Sequence, residues 1–326
     1  MKLSTSSAPH VRSKDTTRAI MLDVLIALMP AVIVSTLIFG VRALLMMLFS
    51  MVSAEIIEYI CVRYVRGRKE FKPDFSAAVT GLLLGMNISV AVEWWQLLIG
   101  VIVSIVLAKQ VFGGLGSNIF NPALVGRVFM LTSFPIAMTT WYKPYYYLSS
   151  ADTITAATAL GTLKTAGYEQ VVSKFSYLDM FLGNITGSIG EVSFVALLLG
   201  FIYLLVRGRI KIMVPLSYTA TVLIFSSIFY LVDPVRYGTP LFHILAGGFA
   251  LGAFFMATDM VTSPMTPKGC IIFGMGLGVI TMVIRYFGGY PEGVSYSILV
   301  MNALVPLIDR YAKPRIFGTI PKAVKK

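Results

Sequence analysis

The chain has 326 residues, of which 57% are hydrophobic and 13% charged, with a mean hydropathy of +0.81. Soluble domains carry about 25% charged residues, so the composition excludes a soluble globular fold and points to a polytopic membrane protein. The net charge of +12 gathers on one side of the apolar segments. It therefore reads as a topology signal matched to anionic membrane lipid, with no nucleic-acid partner expected.

In chain order, residues 1–18 form a polar tail without the apolar core of a signal peptide, so the first span is expected to stay in the mature protein. A helix needs about 20 apolar residues to cross a bilayer. Ten candidate spans follow, the first five over 20–39, 43–64, 76–91, 95–113 and 118–134. A 135–190 loop separates them from 192–206, 213–231, 241–257, 269–287 and 294–310. The expected organisation is a tail (1–18), a five-helix unit (19–134), the loop, a second five-helix unit (191–311) and a tail (312–326). Spans 76–91 and 192–206 are short for a full crossing and are expected to be broken or buried between neighbours.

Lys and Arg are retained on the cytoplasmic side. With the N-terminus inside, twenty of the 27 basic residues fall on inner segments and six on outer ones, with Arg127 inside a span. Both termini are thus expected to be cytoplasmic, and the 135–190 loop lies on the outer face. Val-Arg-Gly-Arg runs at 65–68 and 206–209 read as inner-face stops.

The chain also repeats. Gly81-Leu-Leu-Leu-Gly85 recurs as Gly248-Phe-Ala-Leu-Gly252, and Asn121-Pro-Ala-Leu-Val125 as Asn302-Ala-Leu-Val-Pro306. Five spans per unit is an odd number, so the two units would be oppositely oriented, an arrangement that commonly places a site at the interface beside interrupted helices. Asn121-Pro122 reads either as helix punctuation or as a half-helix N-terminus facing a ligand or ion.

Within the loop, Asp152-Thr153-Ile154-Thr155-Ala156-Ala157-Thr158 fits the pattern Asp-x-x-[Ser/Thr]-x-Ala-Thr. In that pattern a flavin transferase esterifies the last threonine with the phosphate of FMN. An alcohol oxygen is a poor nucleophile, so an outside enzyme must reach it, and an exposed segment is expected. Thr158 is then the attachment point, and Asp152, Thr155 and Ala157 serve recognition. The competing reading is an ordinary helix start with Asp152 as N-cap. The preceding Trp141, Tyr142, Tyr145, Tyr146 and Tyr147 read as an interfacial aromatic belt, or as stacking partners for a flavin ring.

Lys109-Gln-Val-Phe-Gly-Gly-Leu-Gly-Ser-Asn-Ile-Phe-Asn-Pro-Ala123 and Met256-Ala-Thr-Asp-Met-Val-Thr-Ser-Pro-Met-Thr-Pro-Lys-Gly269 resemble signatures of the D subunits of Rnf ion-translocating electron-transport complexes. The Asp152–Thr158 motif sits between them, as in that family, and the similarity runs from the first span to the last. The related B subunits of sodium-pumping NADH:quinone reductases have a longer N-terminal extension and lack the Thr262-Ser263-Pro264 wording. An inverted-repeat solute channel is the remaining alternative, and it needs no such loop motif.

The resemblance implies an all-α membrane protein of ten transmembrane helices in two inverted five-helix repeats, similar to urea channels. It implies a flavoprotein component of a complex that passes electrons between reduced ferredoxin and NAD and moves Na+ or H+. Covalent FMN on Thr158 and a noncovalent riboflavin belong to that expectation. So do other Rnf subunits as partners, including a second FMN-bearing one and further membrane components, with a flavin transferase for maturation. The expected location is a bacterial or archaeal cytoplasmic (inner) membrane. Two departures stand out: Ala156 where glycine or serine is frequent, and Met260 where proline is usual.

Ionisable residues inside spans are costly and carry a functional hypothesis. Asp23, Glu55, Glu58, Arg127 and Asp259 are the candidates for a cation or proton path; structural pairing, such as Glu55 or Glu58 with Arg127, is the alternative. Other chemistry is scarce. Two histidines, His10 and His243, exclude bis-histidine haem because one lies in a tail, and Cys61 and Cys270 are too few for an iron–sulfur cluster. A disulfide between the cysteines is not expected in a reducing cytoplasm. No catalytic triad, metal site or phosphate loop is expected.

Overall fold

The computed structural model describes residues 15–67, 73–148, 155–191 and 193–313. Among the described residues the chain is helical without strands, and one isolated antiparallel bridge joins Tyr142 to Thr155.

The first half opens with α1 (Thr17–Phe39), capped by the Thr16 hydroxyl, which accepts the Ala19 N–H at 3.2 Å. After Gly40 the chain turns into α2 (Val41–Ile60), which runs on as a π-helical turn, Cys61–Val65. α3 (Ser76–Met86) is short, and a buried non-helical stretch leads from it to α4 (Trp94–Ile102). α4 continues as a π-helical segment, Val103–Gln110. α5 (Pro122–Ser133) begins as its sequence dictates: the Asn121 side chain accepts the Ala123 N–H at 3.1 Å, and Pro122 needs no donor in the first turn.

Short helices follow: α6 (Pro135–Thr139), α7 (Ala159–Ala166), α8 (Tyr168–Lys174) and α9 (Tyr177–Leu182). The second half comprises α10 (Phe194–Val206), α11 (Met213–Val232), α12 (Pro234–Tyr237) and α13 (Pro240–Leu245). Then come α14 (Phe249–Leu251) with its π-helical continuation Gly252–Met256, α15 (Pro267–Phe287) and α16 (Val294–Tyr311).

A helical segment coincides with each of the ten expected spans, but they are not equal. Among the described residues four are long and apolar enough to cross a bilayer: Thr17–Phe39, Val41–Val65, Met213–Val232 and Pro267–Phe287. A fifth is the broken pair Pro234–Leu245 and Phe249–Met256, bent by 47°. α3, α5, α10 and the α4 segment are shorter. α3 explains why: of its residues only Val79 is not buried, so it meets protein on all sides. Its eleven residues extend about 16 Å at 1.5 Å each. An apolar run carries the same signal whether its surroundings are lipid or protein.

In each half the second helix packs on two that follow it, with different emphasis: α2 mainly on α3, α11 mainly on α15. α2 lies against α3 and α4, and α11 against α13 and α15, while α1 meets α10 and α5 meets α16. Gly81 makes the α2–α3 approach feasible, since a Cβ there would run into the Ser50 carbonyl and Met51 backbone. The asparagines of the two similar motifs, Asn121 and Asn302, touch. With the Asn302 amide nitrogen facing the Thr262 carbonyl at 3.1 Å, its oxygen accepts the Asn121 N–H at 3.0 Å.

Candidate functional site

Thr158 is the N-cap of α7. Its Oγ accepts the Gly161 N–H at 3.1 Å, and its carbonyl accepts the Thr162 N–H at 2.8 Å. The approach to it is fixed on both sides. Thr155 bridges to Tyr142, the Ala156 N–H donates to the Trp141 carbonyl at 3.0 Å, and the Ala157 carbonyl accepts the Thr186 hydroxyl at 2.7 Å. Asp152 lies outside the described residues. The exposed threonine expected from the motif is, in the folded chain, only 9% exposed. Capping turns its hydroxyl toward the helix and away from solvent.

That hydroxyl borders a cavity of about 280 Å³ lined by Arg127, Leu131, Met138, Trp141, Gly161 and Tyr290, among others. Ligand sites combine an apolar lining with a few placed polar groups, and this cavity does so. Of the aromatic cluster, Trp141 faces it. The rings of Tyr142 and Tyr146 meet at 4.8 Å, tilted by 33°, and Tyr147 donates to the Leu37 carbonyl at the end of α1. The residues fit a phosphate-linked aromatic ligand: a helix N-terminus favours an anion. Gly161 keeps the space beside Thr158 Oγ free, because a Cβ there would stand 3.1 Å from that oxygen.

Arg127 projects from α5 into a buried charge cluster beside this cavity. It pairs with Glu191 at 3.4 Å, with Glu292 at short range, and donates to the Ser295 hydroxyl. The sequence reading missed Glu191 and Glu292. Each sits just before an apolar helix, in Gly190-Glu191 and Pro291-Glu292-Gly293, where a boundary residue reads as solvated. The signal was Arg127 itself: a cation inside a span calls for a carboxylate partner.

The expected pairing of Glu55 or Glu58 with Arg127 is corrected by the structure. Glu58 binds Lys109 at 2.6 Å and accepts from Gln110 at 2.6 Å, both on the π-helical continuation of α4. Lys109 also donates to the Ser76 hydroxyl at 2.6 Å. Glu55 accepts the Ala78 N–H in the first turn of α3 at 3.0 Å. Arg127 faces away, toward the loop before α10 and the turn before α16. Asp23 is held by Arg209 at 2.6 Å, Arg207 at 3.2 Å and Tyr203 at 3.0 Å, which ties α1 to the end of α10. Asp259 accepts from the Thr262 hydroxyl at 2.9 Å. It lines a second cavity, of about 100 Å³, with Lys109, Asn118, Asn121, Thr258 and Phe255. Cys61 and Cys270 are free and buried, and no metal-binding cluster occurs among the described residues.

Apolar helices of spanning length around buried ion pairs define a multi-pass membrane protein. The chain belongs to the family described as NQR2, RnfD, RnfE, which matches residues 4–318. It is 45% identical over 319 residues to the D subunit of a proton-translocating ferredoxin:NAD(+) oxidoreductase complex of Clostridium ljungdahlii, covering 96% of each chain. It is 43% identical over 324 residues to the D subunit of the Na(+)-translocating ferredoxin:NAD(+) oxidoreductase complex of Acetobacterium woodii, covering 98% of this chain and 96% of that one. The D subunit of an ion-translocating oxidoreductase complex of Alcanivorax borkumensis is 38% identical over 335 residues, with 98% and 97% covered.

Proposed function

We propose that this chain is the D subunit of an Rnf-type complex and carries FMN as a phosphoester on Thr158. The complex couples electron transfer between reduced ferredoxin and NAD to translocation of Na+ or H+. The observation that carries the flavin assignment is the cavity beside Thr158, whose hydroxyl caps a helix start at the end of a flavin-transfer motif. When bound, the flavin supplies electron transfer. The chain's part is to hold it: the α7 N-terminus faces the phosphate, Trp141 and Tyr290 offer aromatic faces, and Arg127 offers a positive charge.

The two halves act as inverted repeats, with both termini cytoplasmic and the 135–190 loop outside. The recurring motifs and the Asn121–Asn302 contact support this arrangement. A noncovalent riboflavin completes the proposed cofactor set. The other Rnf subunits cover the chain in the membrane, and a flavin transferase matures it. The test is in-gel fluorescence of the denatured protein after co-expression with its flavin transferase. Flavin that survives denaturation and maps to Thr158 is expected; its absence overturns the reading.

A further inference from the structure

Glu191 lies in the loop between α9 and α10, 5% exposed, and among the described residues neither carboxylate oxygen completes a hydrogen bond of good geometry. Its attachment is the 3.4 Å ion pair with Arg127, and Arg127 is shared with Glu292. Buried carboxylates ordinarily recruit several N–H donors, because an unsatisfied charge is expensive away from water. This one instead faces a space of about 10 Å³, roughly one water in size, bordered by Thr158, Thr186, Gly247 and Glu292.

The charges around it are few and nearly balanced. Arg127 comes from α5, Glu292 from the turn before α16, and Arg285 from α15, where the His243 and Ala246 carbonyls hold its guanidinium. From its own loop the Ser188 hydroxyl comes near enough to favour the carboxylate without closing a well-formed hydrogen bond to it. The break before α14 closes the other side, with the Gly248 backbone against the carboxylate. Two arginines thus stand with two carboxylates. Burial raises the Glu191 carboxyl pKa, the Arg127 charge pulls it down, and Glu292 pushes it up again.

We propose that Glu191 is the proton-exchanging group of the Thr158 site, protonated when an electron is placed in the adjoining cavity and deprotonated when the electron leaves. This rests on the reading of Thr158 as the flavin attachment point. An added electron brings one negative charge into the cavity beside Arg127. The arginine is drawn to it and its hold on Glu191 weakens. One proton from water then converts the carboxylate to the acid and restores the balance. The electron comes from the reduced one-electron donor that serves the complex, and both steps reverse on oxidation. Glu292, by contrast, is bonded at short range to Arg127 and is more exposed.

The test is reduction-minus-oxidation infrared difference spectroscopy on the purified complex, reduced with dithionite. A protonated-carboxyl C=O band should appear on reduction, shift in Glu191→Asp, vanish in Glu191→Gln and persist in Glu292→Gln. The midpoint potential of the attached flavin should also lose pH slope in Glu191→Gln. If the glutamine variant does not assemble, the wild-type and aspartate spectra decide alone. No band in the wild type, or a band that stays unshifted in Glu191→Asp, overturns the proposal. Covalent flavin with no such signal overturns this proposal only, whereas a Thr158 without flavin overturns both readings.

Discussion

At the scale of single residues, the proposed attachment would give Thr158 two duties that compete. As N-cap its oxygen accepts an N–H; as an ester its oxygen is a poor acceptor, and the phosphate must take over the donors at the start of α7. Thr158→Ala should therefore abolish covalent flavin and also cost about 0.5–2 kcal/mol of local stability. Denaturing-gel fluorescence and a thermal melt would measure the two effects separately. Thr155→Ala should reduce attachment only in part, because Thr155 bridges to Tyr142 and carries no bond to flavin. A sharper probe is Gly161→Ala. Alanine is favoured over glycine in a helix by up to about 1 kcal/mol, so the fold should not suffer. Its methyl group would occupy the space beside Thr158 Oγ. Covalent flavin should fall several-fold at unchanged protein level, and full labelling would show that the phosphate lies elsewhere.

Among the elements, apolar length made the helices legible and hid their differences. α1 and α11 read correctly as long spans, because their outward faces carry the same residues as their inward ones. α3 read as a span as well, although it is a short plug inside the bundle; hydropathy registers apolar side chains and not their neighbours. The break at residues 246–248 left a trace in Ala246-Gly247-Gly248, yet two glycines do not reveal a 47° bend. The site was half legible. Thr158 lay in a local motif, whereas Glu191 and Glu292 reach Arg127 over 64 and 165 residues of chain, a relation that no window contains. The Glu58–Lys109 pair is likewise long-range and lends itself to measurement. Removing one member of a buried ion pair costs about 3–5 kcal/mol, while replacing both is often neutral. Glu58→Gln alone should strongly lower the thermal stability of the purified protein, and Lys109→Met added to it should restore most of the loss. If the double variant is no more stable than the single one, the pair does not hold α2 to the α4 segment.

Taken as a whole, the molecule separates the end that holds Thr158 from an end rich in arginine and lysine. Arg42 at the start of α2 lies near Val92 and Glu93, close to the Tyr145–Tyr147 turn, and Glu58 lies sixteen residues on, about 24 Å along the helix axis. Cysteines placed near Lys143 or Lys164 should react with an impermeant reagent in intact cells, and those near Arg209 or Lys322 only after lysis; the reverse pattern would invert the proposed topology. An ion crossing between these ends needs polar groups within an apolar layer. Asp23 is saturated by two arginines and Glu58 by Lys109 and Gln110, which leaves Glu55 as the least engaged of the carboxylates on α1 and α2. Among the described residues it accepts one hydrogen bond, from the Ala78 N–H, a donor that α3 cannot satisfy internally. A glutamine amide oxygen can accept the same bond, so Glu55→Gln removes the charge and keeps the cap. If Glu55 belongs to the ion route, the variant complex should retain flavin and electron transfer. It should move fewer ions per electron into vesicles. An unchanged ion-to-electron ratio would reduce Glu55 to a helix cap and shift the search to Asp259, whose carboxylate lines the second cavity beside Lys109.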